Sequence, residues 1–317
     1  MQRLTSPAAM RAWSDDRRRQ GHRLAMVPTM GALHDGHLRL IEVARQHADS
    51  VIVSVFVNAL QFNRSDDFDA YPRPIEADAE LTAAAGVDAL YVPTMASMYP
   101  EGFDTHVVPG RLAEPMEGAA RPGHFRGVTT VVAKLFNAAA PHTALFGEKD
   151  YQQLAVIRRM VVDLDMGVEI IGVPTVREED GLALSSRNRR LTPQQRAAAV
   201  CIPRALRAAQ ALHAAGERDP ERLRSVVESG ISAEALARLE YVDVVHPITL
   251  RSLDDAAHAV VALRRNATAE PAPMRGRPSC CAARSSSVKA LLLSRARAPV
   301  CLDSFSPRSL TTTPTCM

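Results

Sequence analysis

Val51-Ile52-Val53-Ser54-Val55-Phe56-Val57 is a run of seven residues in which six are apolar and four are valine. A strand with one wet face alternates apolar and polar residues, whereas a strand covered on both faces need not, so the run predicts the centre of a parallel sheet flanked by helices. Working outward, β-branched runs at 24–28, 87–92, 143–146 and 168–173 alternate with segments of helical period near 37–48, 74–85, 127–139 and 151–164. That is the order of βαβ units, and the expected class is α/β, a doubly wound parallel sheet over residues 1–174. Such sheets bind ligands at the carboxyl ends of their strands. After Pro174 the texture changes. Thr192-Pro193 reads as a helix start, a second helix falls near 219–229, and 241–246 and 259–263 read as strands of a smaller α+β domain spanning 175–265. Beyond it the periodicity fails: residues 266–317 hold six prolines, eight serines and one aromatic, Phe305. A composition of this kind buries too little to offset its own chain entropy, so a disordered tail is expected.

The 317 residues, 46% of them hydrophobic, are enough for two cores. No segment approaches the roughly 18 to 20 apolar residues of a membrane span, and residues 1–20 carry Asp15, Asp16 and an arginine cluster in place of a signal-peptide core. A cytoplasmic protein is expected. The net charge of +3 divides unevenly, because 266–317 hold seven Arg or Lys against Glu270 and Asp303 and leave the body at −2. That body offers no electrostatic footprint for nucleic acid. Four of the five cysteines lie in the tail at no metal or disulfide spacing, with Cys201 alone in the body.

Four segments carry chemistry. Pro28-Thr-Met-Gly-Ala-Leu-His-Asp-Gly-His37 sits between a predicted strand and helix, where Gly31 and Gly36 let the backbone approach a ligand and free amides favour phosphate. A lone histidine is more often structural, but His34 and His37, three apart, can share one helical face and donate to a phosphoryl group. Phe146-Gly-Glu-Lys-Asp-Tyr-Gln-Gln153 also follows a strand. It reads as a solvated turn except for Lys149, one of only three lysines among 38 Lys and Arg residues. A compact ammonium can follow the charge on a transferring phosphoryl group. In Leu184-Ser-Ser-Arg-Asn188 the two hydroxyls and the guanidinium describe either a triphosphate clamp or a capped loop with a salt bridge. Asn58 and Gln61 follow the most buried strand and could orient a hydroxy acid. Tyr71-Pro-Arg73 and Arg121-Pro-Gly-His-Phe125 read equally well as turns.

Taken in order, Pro-Thr-Met-Gly-Ala-Leu-His-Asp-Gly-His, Phe-Val-Asn-x-Leu-Gln-Phe, Tyr-Pro-Arg, Phe-Gly-Glu-Lys-Asp-Tyr-Gln-Gln and Leu-Ser-Ser-Arg-Asn closely resemble the pantothenate synthetase family over about residues 1–263. The H-x-G-H element is shared with nucleotidylyltransferases and class I aminoacyl-tRNA synthetases, so the later segments decide. The resemblance implies a Rossmann-like nucleotidyltransferase domain, a smaller α+β C-terminal lid domain and a homodimer, with Mg²⁺-bound ATP, pantoate and β-alanine as substrates. It places Met30, Gly31, Ala32, Leu33, His34, Asp35, Gly36 and His37 along the ATP site, with His34 and His37 on the phosphates and His37 donating a proton. Gly147, Glu148, Lys149 and Asp150 would contact the nucleotide, Lys149 at the phosphates and Asp150 at the ribose. Val176 would meet the adenine, and Leu184, Ser185, Ser186 and Arg187 would close over the triphosphate. His37, His34 and Lys149 are thus the catalytic candidates. Gln61 and Gln153 would hold pantoate, Gln61 also lying near β-alanine. No set of Mg²⁺ ligands is readable.

Two departures stand out. The family usually has proline where this chain has Ala59, which predicts a looser loop around Gln61, and its usual final strand is replaced by the Ser/Pro/Arg/Cys tail. Two other functions compete: a nucleotidylyltransferase that leaves the nucleotide on its product, and a binding protein acting through its basic tail.

Overall fold

The computed structural model describes residues 1–254, 256, 260–267 and 287–293. Six strands, β1 (Gln2–Leu4), β2 (Leu24–Thr29), β3 (Ser50–Val55), β4 (Ala89–Tyr91), β5 (Thr143–Gly147) and β6 (Glu169–Val173), form one sheet in the order β1-β4-β3-β2-β5-β6. Every pairing in it is parallel. The valine run is β3, and all six of its residues are buried. Its side chains alternate between two cores: Ile52 packs with Met10 and Trp13 of α1 (Pro7–Arg19) and with α7 (His124–Ala139) and α8 (Tyr151–Asp163). Val51, Val53 and Val55 pack on the other face with Leu40, Ile41 and Ala44 of α2 (Asp35–His47).

The strand order reverses beside β2: the chain lays β3 and β4 on one side, then returns to place β5 on the other. The β2–β5 ladder is short, Ala25 opposite Thr143 and Met26 opposite Ala144. Pro28, which has no N–H to continue that ladder, ends the pairing on this side. The two strands therefore part at their carboxyl ends, which opens a crevice at the reversal point.

The helices between these strands are α3 (Ser65–Asp69), α4 (Ile75–Ala84), α5 (Met95–Met98) and α6 (Glu117–Ala120). After β6 come α9 (Pro193–Ala198), α10 (Cys201–Ala214) and α11 (Pro220–Ser232), then a three-stranded antiparallel sheet of β7 (Ala237–Val245), β8 (Val260–Ala267) and β9 (Ser287–Leu293). Thr192 caps α9 reciprocally with Gln195, and Pro193 occupies the first turn, as expected. Ile202, Leu206, Leu223, Val227, Ile231, Val242 and Val244 form a core of their own.

β1 and α1 are additions to the elements expected from the sequence, although Ser6 caps α1 and Pro7 opens it. β8 also runs to Ala267, beyond the expected end near 263. Within the tail expected to be disordered, 266–317, the described residues are the end of β8 and the strand β9. Ser-Val-Lys-Ala-Leu-Leu-Leu, 287–293, pairs along β8 from Val260 to Asn266. A tail averaged over 52 residues hid a seven-residue segment, five of its residues apolar, able to cover an open sheet edge. Residues 268–286 and 294–317 lie outside the described residues.

Candidate active site

A cleft of about 220 Å³ opens where β2 and β5 separate. Met30, His34, Gly36, His37, Gly147, Lys149, Asp150, Val176, Leu184, Ser185, Ser186 and Arg187 line it, together with Gln61 and Gln153. Segments more than 150 residues apart in the chain thus meet in one place. Gly31, Ala32, Leu33, Asp35 and Glu148 do not line it. Ala32 and Leu33 are buried behind it, Asp35 is exposed, and the stem of Glu148 lies over Gly172 of β6.

The first loop owes its shape to a residue outside the four chemistry-bearing segments. Asp78 of α4, 1% exposed, accepts from the amides of Ala32 and Leu33, each at 2.8 Å. Ala32 has φ 51, a left-handed conformation that an L side chain enters only when its surroundings hold it there. Gly31, at φ 83, could not carry a Cβ, which would come 2.8 Å from Asp78 Oδ2 and 2.9 Å from Val55.

His34 then caps α2, and its Nδ1 accepts from Gly36 N at 3.2 Å. His37 Nδ1 accepts from His34 N at 3.3 Å, and the two rings lie 4.1 Å apart. A neutral imidazole that accepts at Nδ1 carries its proton on Nε2, so each ring can act as an Nε2–H donor. Their titration supports the neutral form. Burial, followed by Lys149 and Arg189, lowers His34 to about 4 against the opposing pull of Asp35. Burial, followed by His34 and Lys149, holds His37 well below the ordinary histidine value against Asp150.

Lys149 lies in the tight turn Glu148–Asp150 that follows β5, its Nζ 3.7 Å from Asp150 Oδ2. Of the two consecutive amides after it, Gln153 lines the cleft. Gln152 is buried and bonds to Leu112 O, Pro115 O and Glu117 N. On the opposite rim Ser185 caps the 186–190 turn, and Ser186 Oγ lies 3.2 Å from Tyr71 Oη. Arg187 and Arg190 both pair with Asp67 of α3, at 3.1 and 2.9 Å. Burial raises the Asp67 carboxyl, but the two guanidiniums outweigh it and leave it below its ordinary value.

Gln61 is the most tightly held of the cleft residues. Its carbonyl accepts from Arg121 Nη2 at 2.9 Å and from His124 Nδ1 at 2.8 Å. A Cβ on Gly127 would come 2.2 Å from Leu60 O, so only glycine lets α7 approach this turn. Arg121 and His124 therefore line the cleft as working parts of the Arg-Pro-Gly-His segment that also read as a turn.

Among the described residues, three cations and three imidazoles face a single acid, Asp150, in this cleft at the reversal point of a doubly wound sheet. Such a balance defines the class, an α/β enzyme built to act on a polyphosphate. The relatives narrow it. The model of the Pantoate-beta-alanine ligase family matches residues 2–269. Pantothenate synthetase of Heliobacterium modesticaldum is 53% identical over 245 residues, 77% of this chain and 87% of that protein. The crystal structure of pantothenate synthetase from Thermus thermophilus superposes with a TM-score of 0.82 at 43% identity, covering 92% of this chain and 99% of the other. That of pantoate–β-alanine ligase from Francisella tularensis, complexed with beta-gamma ATP and β-alanine, gives 0.72 at 31% identity, covering 92% and 97%. The chain belongs to the pantoate–β-alanine ligase family.

Proposed function

We propose that this cleft performs the family's reaction, the ATP-dependent condensation of pantoate with β-alanine through a pantoyl adenylate, with release of AMP and pyrophosphate. The observation that carries the assignment of roles is the pair of neutral imidazoles, each with Nδ1 already occupied, in the same cleft as Lys149. The pantoate carboxylate attacks the α-phosphorus of ATP in line and pyrophosphate leaves. His34, His37, Lys149 and Arg187 stabilise the charge that develops on the phosphoryl oxygens, which is positioning plus electrostatics. The β-alanine amine then attacks the acyl carbon of the mixed anhydride, and AMP leaves. Gln61 and Gln153 hold pantoate, Gln61 also lies beside β-alanine, and Asp150 faces the ribose.

Among the described residues no group of three His, Cys, Asp or Glu could hold a metal ion. Mg²⁺ carried on the ATP phosphates fits better than a protein-built cage, and it would supply charge neutralisation there. Residues 1–174 form the ATP and pantoate half, and 175–265 the lid that brings Leu184 to Arg187 over the triphosphate and keeps water from the adenylate. A homodimer is supported by Val108, Val162 and Leu164, which are 73%, 64% and 50% exposed, the first and last of them lining one groove. No described helix is long and apolar enough to cross a membrane. A body at −2 supports the absence of a nucleic-acid partner, and the cytoplasm is the working location proposed for an enzyme of this family.

Pantoate-dependent exchange of pyrophosphate into ATP, measured without β-alanine, tests the order of steps. Exchange is expected, and an absolute requirement for β-alanine overturns it. Nucleotide retained on the product would instead indicate a nucleotidylyltransferase.

A further inference from the structure

The hydrogen bonds behind Gln61 have a direction. The Gly127 carbonyl can only accept, and Asn58 Nδ2 donates to it at 3.0 Å. The same nitrogen donates to Gln61 Oε1 at 3.0 Å. The Asn58 oxygen is thereby turned the other way, where Tyr99 Oη donates to it at 2.7 Å. With Oε1 occupied, Gln61 turns Nε2 toward Met30 Sδ at 3.1 Å, a weak acceptor that an oxygen ligand would displace.

We infer that Tyr99 is a positioning residue for the acid substrate. Through Asn58 it fixes the Gln61 amide with its NH₂ toward the cleft, so this subsite takes a carboxylate or hydroxyl oxygen and refuses a group that can only donate. The inference rests on the proposed role of Gln61 as a pantoate ligand. Three observations make Tyr99 the anchor of the chain. Asn58 is 1% exposed, so water has no ready access to replace a lost donor. The Tyr99 ring is held by Phe103 at 4.9 Å and Phe56 at 6.1 Å, with the Lys134 ammonium 6.0 Å from its centroid. Burial also raises the phenol above its ordinary value, so it stays a protonated donor across the working pH range. Without that donor, Asn58 either leaves its oxygen buried and unpaired or turns over, losing Gly127 and presenting oxygen to Gln61. In both cases the Gln61 amide loses its fixed sense.

Tyr99→Phe keeps the ring and removes only the hydroxyl. The KM for pantoate should rise about tenfold, the consequence of one unpaired buried acceptor, while the KM for ATP stays within about twofold. In a Gln61→Ala background the same substitution should add nothing further, because Tyr99 acts through Gln61. A purely structural tyrosine would lower the unfolding midpoint and the active fraction without separating the two KM values. A pantoate KM within about twofold of the parent in Tyr99→Phe, or an undiminished factor in the Gln61→Ala background, overturns the inference. If Gln61→Ala itself leaves the pantoate KM unchanged, the underlying role of Gln61 falls instead.

Discussion

Replacing Asp78 should disable the first phosphate-binding loop from behind. Its two oxygens accept from Ala32 N and Leu33 N at 2.8 Å each, and both donors are buried, at 0% and 1% exposure. A hydrogen bond to a charged group contributes about 1.5–3 kcal/mol, so Asp78→Ala, which orphans both donors, should destabilise the fold by roughly 3–6 kcal/mol. That is a large share of the about 5–15 kcal/mol that holds a typical domain. Asp78→Asn keeps the shape and one acceptor but sets an NH₂ against the second N–H, and should lose about 2–3 kcal/mol. Ala32 at φ 51 carries a left-handed strain of about 1–2 kcal/mol, and its release once the restraint is gone offsets part of that loss while it changes the shape of the loop. Relaxation would move His34, two residues on. Urea unfolding gives the stability, and ATP–pyrophosphate exchange at saturating ATP reads the geometry. Exchange in Asp78→Asn should fall at least about tenfold in protein that still unfolds cooperatively. A variant within about 0.5 kcal/mol of the parent and with normal exchange would refute the argument that this carboxylate shapes the loop.

Lys149→Ala should lower exchange at least about a hundredfold with an unchanged circular dichroism spectrum, because it removes a charge aimed at the phosphates; near-normal turnover would remove Lys149 from the chemistry. The histidine pair should make the unliganded protein acid-sensitive. Both imidazoles titrate below their unfolded value of 6.5, His34 at about 4, so below pH 6.5 the unfolded chain takes up protons that the fold refuses. Stability should therefore decline from pH 6.5 toward 4, and His34→Gln should flatten the urea midpoint over that window; equal slopes in parent and variant would contradict the neutral assignment. Asp67→Asn unties Arg187 and Arg190 from α3, pairs that are part-buried and each worth about 1 kcal/mol. Limited proteolysis within residues 63–71 should accelerate, and an unchanged cleavage rate would mean that the pairs do not hold this segment.

The sheet was legible because its signal is local. The valine run needs no partner to announce a two-faced strand, and Thr192-Pro193 marks a helix start in two residues. Element ends were harder. His34 caps α2, so the helix begins at Asp35, two residues before its apolar period becomes visible. β1 has only three residues, and α1 buries little beyond Met10 and Trp13, too few to stand out in an arginine-rich stretch. The site divides in the same way. His34, His37, Lys149, Gln153 and Arg187 lie in compact motifs directly after strands or in the loop beyond β6. The residues that hold the loops, Asp78, Tyr99, Arg121 and His124, act on backbone or side chains 41 to 63 positions away. Nothing in one sequence ties an aspartate in α4 to the amide of Ala32.

The same separation of contact from support decides what Ala59 does. Proline at this position would restrict the unfolded chain, and its absence predicted a looser turn around Gln61. The native turn takes its order from elsewhere. Gln61 is fixed through its carbonyl by Arg121 and His124, through Oε1 by Asn58, and through its N–H by Asn58 O at 3.3 Å. Ala59 opens the tight turn Ala59–Gln61, the position where proline fits because its missing N–H has no intrahelical acceptor. Asn58 before it is extended, at φ −82 and ψ 106, as a residue preceding proline prefers. Ala59→Pro should therefore stabilise the protein by about 0.4–1 kcal/mol, entirely through the unfolded state, and leave the pantoate KM unchanged. Urea unfolding and steady-state kinetics on the one variant separate the two effects. A pantoate KM that falls severalfold would show that the turn was loose in the folded protein, and that the bonds from Arg121, His124 and Asn58 do not hold Gln61 by themselves.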